Sequence, residues 1–93
     1  MQVIHENEKK RILESFAAKV PDIRKRLGMS QTEFGNKVGF SRQSVSSLER
    51  GTVQLTWDTF LAIMMVVMIN DRDLYEQLIA ENSLEEIIVN NKR

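Results

Sequence analysis

Between Ser30 and Gly51 the chain has room for two short helices and a tight turn, and that stretch constrains everything around it. Ser30-Gln31-Thr32-Glu33 has the S-x-x-E form of a capping box, in which hydroxyl and carboxylate each satisfy an orphan amide at a helix start. Gly39 supplies the left-handed conformation on which such a helix ends. Ser41 then follows as the N-cap of a second helix, closed by Gly51. The spacing predicts helices over 31–38 and 42–50. Phe34 and Val38 stand four apart on the first, and Val45 and Leu48 three apart on the second. Those faces can meet as a small apolar wedge that sets the angle between the two helices.

The same punctuation divides the remainder. Gly28 ends a leading helix that begins near Asn7, is interrupted or restarted at Pro21, and reaches Leu27. Phe16, Val20, Ile23 and Leu27 recur at three- and four-residue intervals, as one buried helical face requires. Thr56 is the expected N-cap of a very apolar helix over 57–69, and Asn70 that of a helix over 71–81. Ser83-Leu84-Glu85-Glu86 repeats the capping form ahead of a last helix over 84–90. No segment alternates with period two, so the fold class is all-α. Ninety-three residues make one domain, since two cores would each be too small.

Several function classes drop out. With no cysteine, disulfides and thiolate metal sites are impossible. The one histidine, His5, has no evident ligand partner, and Ser41, Ser44, Ser46 and Ser47 have no base beside them. Glu85 and Glu86 are adjacent, point different ways on a helix and read as solvated charges. No glycine-rich phosphate loop is present. Neither an enzyme nor a cofactor or metal site is expected. Met1–Lys10 is too polar for a signal peptide, and Leu61–Ile69 is too short to cross a bilayer, so a cytoplasmic protein is expected.

Charge points toward a polyanion. The chain is neutral overall, but residues 9–50 hold ten basic and four acidic groups, a net +6. Residues 51–93 hold three basic and seven acidic groups, a net −4. Such a split suggests one half facing a polyanion and one facing water or protein. The outward positions of helix 42–50 are Arg42, Gln43, Ser44, Ser46, Ser47 and Arg50. These are hydrogen-bonding side chains that a duplex major groove would accept: arginine can bridge guanine O6 and N7, glutamine adenine N6 and N7. Lys25 and Lys37 read as screening charges.

SQTEFGNKVGFSRQSVSSLERG, preceded by IRKRLGM and followed by TWDTFLAIMMVV, resembles the Cro/phage-repressor helix-turn-helix, also called the xenobiotic-response-element (XRE) type, over roughly Phe16 to Leu78. The resemblance rests on Arg24, Leu27-Gly28, Ser30-Gln31, Phe34, Gly39, Ser41, Val45, Leu48-Glu49 and Gly51 in one register. It implies a five-helix lambda-repressor-like domain, here with an added N-terminal helix and a C-terminal helical extension. The expected boundaries are 1–15, 16–80 and 81–93. It implies a regulator of transcription, a repressor acting as a two-fold dimer on double-stranded DNA, in a bacterial or phage setting. Gln31 would touch a phosphate. Arg42, Gln43 and Ser47 would meet bases, with Ser44 and Ser46 nearby, and Arg50, Thr52 and Gln54 would lie near the DNA backbone. Arg24 and Glu49 match a pair that forms an internal salt bridge.

Two residues depart from the family pattern: Gly35 stands where alanine is usual, and Pro21 lies inside the family's first helix. In the family register Trp57, Phe60, Ile63, Met64 and Val67 face the core. Leu61, Met65 and Met68 then form a second apolar stripe that something must cover. A second copy of the chain, giving a dimer, is the expected cover; Leu74, Leu78, Ile79, Leu84, Ile87 and Ile88 are the intramolecular alternative. A different reading is an antitoxin or bridging protein that grips a protein partner with its acidic C-terminal half.

Overall fold

The computed structural model describes residues 6–81, and these form six helices: α1 (Glu6–Ala17), α2 (Val20–Arg26), α3 (Gln31–Val38), α4 (Arg42–Glu49), α5 (Trp57–Asn70) and α6 (Arg72–Glu81). No strand occurs among the described residues, and none of their helices is long and apolar enough to cross a membrane. The expected helix over 84–90, its capping box and His5 lie outside the described residues.

The leading helix is cut in two. After Ala17 the chain turns through Ala18 and Lys19 and restarts at Val20, with Pro21 in the first turn of α2. Proline is at home there, because its missing N–H would be unpaired in any case. The apolar stripe survives the break: Ile12, Phe16, Val20 and Ile23 are all buried. Phe16 meets the Phe60 ring edge-on at 4.8 Å, and Trp57 stacks at a tilt on Phe60 from 5.0 Å. Thus α1 packs on α5, and Ile12, Val20 and Ile23 belong to the same core as the helices that follow.

The caps behave locally. Glu33 N–H donates to Ser30 Oγ at 3.1 Å while Ser30 N–H donates to Glu33 Oε1 at 3.0 Å, completing the capping box of α3. The Ser30 backbone and hydroxyl hold the Glu33 carboxyl below its usual range. Ser41 Oγ accepts from Ser44 N–H at 3.0 Å, and Thr56 Oγ1 from Thr59 N–H at 3.2 Å. Asn70 corrects the sequence expectation. It is the last residue of α5, its amide donating back to the Val66 carbonyl at 2.8 Å, and Asp71 caps α6 instead, accepting from Leu74 N–H at 3.0 Å.

Gly39 has φ +94 and ends α3 in the left-handed conformation. Gly35 has a different task. Its carbonyl accepts from both Gly39 and Phe40 N–H, at 2.8 and 2.7 Å, and a Cβ placed on it would lie 2.5 Å from the Phe40 carbonyl oxygen. The turn therefore closes directly over the glycine, and even the alanine usual there would not fit this turn.

Helix α5 buries Phe60, Ile63, Met64, Val66 and Val67, and α6 packs Leu74 and Leu78 against it. Its other side is open among the described residues. Leu61, Met65 and Ile69 are 46%, 58% and 74% exposed, while Met68 is half-buried. The open stripe therefore runs through Leu61, Met65 and Ile69, with the expected Met68 only half-exposed beside it.

Candidate nucleic-acid interface

The angle of α4 is set by both packing and charge. Phe34, Val45 and Leu48 form a buried wedge between α3 and α4, with Val38 half-buried beside them. Burying three such side chains contributes on the order of 1.5–3 kcal/mol each. On the inner side of α4, Glu49 accepts from Arg24 Nε at 2.7 Å and from Arg24 Nη2 at 3.2 Å. Arg24 Nη1 also donates to the Met29 carbonyl at 2.9 Å, so one guanidinium ties α2, the α2–α3 loop and α4 together. The two side chains are only 14% and 9% exposed.

Gln31, at the start of α3, joins the same cluster by donating to Glu49 Oε1 at 3.1 Å. Burial alone would push the Glu49 carboxyl up. The hydrogen bonds from Arg24 and Gln31, with the charges of Arg24 and Lys25, outweigh that and hold it below the usual carboxylate range. The hydrogen bond to Glu49 raises Arg24 against its own desolvation. Glu49 is thus an anion fully committed to the interior face, which keeps its charge off the outer face of the helix.

That outer face is uniformly hydrogen-bonding. Arg42 and Gln43 are exposed in the first turn, Ser46 and Ser47 lie half-buried one turn on, and Arg50 is the exposed C-cap. Arg42 and Arg50 are eight residues apart, about 12 Å along the axis. Among the described residues neither Arg42 nor Gln43 makes a side-chain hydrogen bond, so both carry their donors outward. A groove of about 420 Å³ runs along one flank of α4, lined by Gln43, Ser44, Ser47, Gln54 and, unforeseen from sequence, Val53.

Three expected contact residues are partly engaged within the protein. Thr52 donates both its N–H and its hydroxyl to the Ser47 carbonyl, at 3.0 and 3.1 Å, and so closes the end of α4. Ser44 Oγ receives the Ser41 hydroxyl at 2.9 Å. Gln31 spends one amide hydrogen on Glu49, leaving the second and its carbonyl oxygen for another partner. Gln54 stands exposed on the loop before α5. Leu61, Met65 and Met68, the expected dimer contacts, lie on α5 and take no part in this surface, while the more exposed Ile69 extends the stripe; its isoleucine reads from sequence as one more apolar residue at the helix end.

Residues 22–65 match the helix-turn-helix family, in its Cro/phage-repressor (XRE) form, a family that binds DNA. No curated protein and no solved structure matches the chain.

Proposed function

We propose, from the match of residues 22–65 to the helix-turn-helix family, that this chain is a transcriptional repressor that reads duplex DNA with the outer face of α4. The observation that carries this reading is the division of labour on α4. Its one carboxylate is bonded inward to Arg24 and Gln31, while Arg42, Gln43, Ser46, Ser47 and Arg50 face out. Arg42 and Gln43 are the base-reading residues, each bidentate pair contributing roughly 1–3 kcal/mol of discrimination. Ser47 and Ser46 add shorter or water-bridged contacts, with Ser44 at the flank. Gln31, Arg50 and Gln54 hold the phosphates that set the register, while Thr52, whose N–H and hydroxyl both go to the Ser47 carbonyl, fixes the end of α4 beside them. Gln31 holds its phosphate with its free amide hydrogen at a helix start whose dipole already favours an anion.

The protein acts as a two-fold dimer, for which the stripe of Leu61, Met65 and Ile69 supplies a self-complementary apolar contact. Two copies of α4 then address paired half-sites, and repression follows from occupying the site that polymerase needs. Selection of binding sites from random duplex DNA, with the wild type and with Arg42→Ala/Gln43→Ala, tests this. The wild type enriches an inverted repeat with half-site centres about one helical turn apart. The double variant, folded as before, enriches none. Retained preference in the variant removes these two residues from the reading of bases.

A further inference from the structure

Helix α1 begins beside the loop that follows α4. A groove of about 870 Å³ separates them, with Glu6, Lys9, Lys10 and Leu13 on one wall and Val53 and Gln54 on the other. The two lysines are differently occupied. Lys9 Nζ sits 5.4 Å from the centroid of the Trp57 ring and 3.8 Å from Glu6 Oε1, so its charge is spent within the protein. Lys10, the next residue, is exposed and makes no ion pair or hydrogen bond among the described residues. Of the two carboxylates on its wall, Glu6 is turned to Lys9, and Glu14, one turn on, does not come within ion-pairing distance of Lys10.

We propose that Lys10 is a phosphate-binding residue, extending the duplex-facing surface from the loop 51–56 onto α1. The inference rests on the DNA-binding reading above and adds to it a helix that lies outside residues 22–65. An ammonium on a flexible stem suits this place, because a phosphate at the groove rim needs a charge and not a fixed fork. Lys9 on Trp57 pins the first turn of α1 against the start of α5, so the stem of Lys10 leaves from a fixed backbone. The contact carries no sequence information; it strengthens binding to every duplex alike and sets how the domain sits on the backbone.

The salt dependence of binding tests this. Fluorescence anisotropy with a labelled selected site and with a random duplex gives log Kobs against log salt for the wild type, Lys10→Gln, Lys10→Arg and Arg72→Gln. Arg72 opens α6, just past the far end of α5, which lies about 20 Å from Trp57 along the helix. Loss of one phosphate contact makes the slope of Lys10→Gln shallower by about 0.9 on both duplexes, with Lys10→Arg and Arg72→Gln keeping the wild-type slope. An unchanged slope in Lys10→Gln overturns the proposal, as does an equal change in Arg72→Gln, which would mean that net charge alone matters. A wild type that shows no salt-dependent binding to any duplex removes the DNA-binding reading and this inference with it.

Discussion

The α3–α4 pair and the α5–α6 pair are both two helices joined by a short connection, yet they are held by different forces and face outward with opposite character. The first pair consists of eight-residue helices, too short to fix their own crossing angle by buried area. Directional contacts make up the difference: the Arg24–Glu49–Gln31 cluster on one side and the turn closed over Gly35 on the other. The second pair turns on Asp71 alone. Its N–H donates to the Val67 carbonyl at 2.8 Å, and its carboxylate accepts from Leu74 N–H and, at 3.2 Å, from Arg26 Nε. The Leu74 N–H and the nearby Arg26 charge keep that carboxyl below its ordinary value. Apolar area does the rest, through Phe60, Ile63, Val67, Leu74 and Leu78. A helix pinned by polar groups can leave its outer face polar, as α4 does. A fourteen-residue helix anchored by its buried side has no such need, and α5 carries an apolar outer face.

The largest effect is expected from removing the pin of the first pair. Arg24→Ala leaves Glu49 nearly buried without its cation, and breaking such a pair costs about 3 kcal/mol. Chemical denaturation at pH 7 measures this. The pH dependence has a definite sign. Glu49 is held below its ordinary value in the folded state, so the stabilisation is full above the unfolded carboxyl range and is lost as pH falls through the folded value. The gap between wild type and Arg24→Ala should therefore narrow on acidification; a gap constant down to acid pH would show that the pair contributes packing and not charge. Next comes the turn. Gly35→Ala places a methyl 2.5 Å from the Phe40 carbonyl oxygen, a backbone atom that moves only with the turn. Overpacking of this kind costs about 2 kcal/mol, whereas the same change on an open helix face would stabilise by up to about 1 kcal/mol. The sign of the change in melting temperature decides between them.

What could be read from the sequence follows the same division between local and distant causes. The caps at Ser30, Ser41 and Thr56 were legible because a cap is chemistry among residues three apart. Asn70 and Asp71 are both good N-caps by type; Asp71 takes the cap and also holds Arg26, 45 residues away in the chain, a contact that no local spacing encodes. Gly35 was legible only as a departure from the alanine usual at its place; the arrival of the Phe40 carbonyl shows why no Cβ can stand there. Likewise the two-sided apolar character of α5 was plain, but which of its residues stay open depends on tertiary packing that spacing does not encode, and Ile69 is more exposed than Met68. The polar face of α4 was legible from composition and spacing, whereas the engagement of Gln31, Ser44 and Thr52 within the protein depends on rotamers and loop geometry that no spacing encodes.

The smallest expected effect on stability, and the one that bears most directly on the second pair, is that of Met65→Glu. Met65 is 58% exposed, so within one chain the change should stay within about 0.5 kcal/mol of wild type. In a two-fold dimer through α5 each patch meets its own copy, and Met65→Glu sets two carboxylates against apolar partners across the axis. Sedimentation equilibrium should then find the wild type at twice 10.8 kDa, and the variant at the single-chain mass with its helix content unchanged. The variant should lose affinity for an inverted repeat while keeping that for a single half-site, because α4 is untouched. A dimer that persists in Met65→Glu would move the interface elsewhere on the surface. A wild type that is monomeric even on the inverted repeat would leave the exposed stripe to a partner other than a second copy, and would break the link between the apolar face of α5 and the paired use of α4.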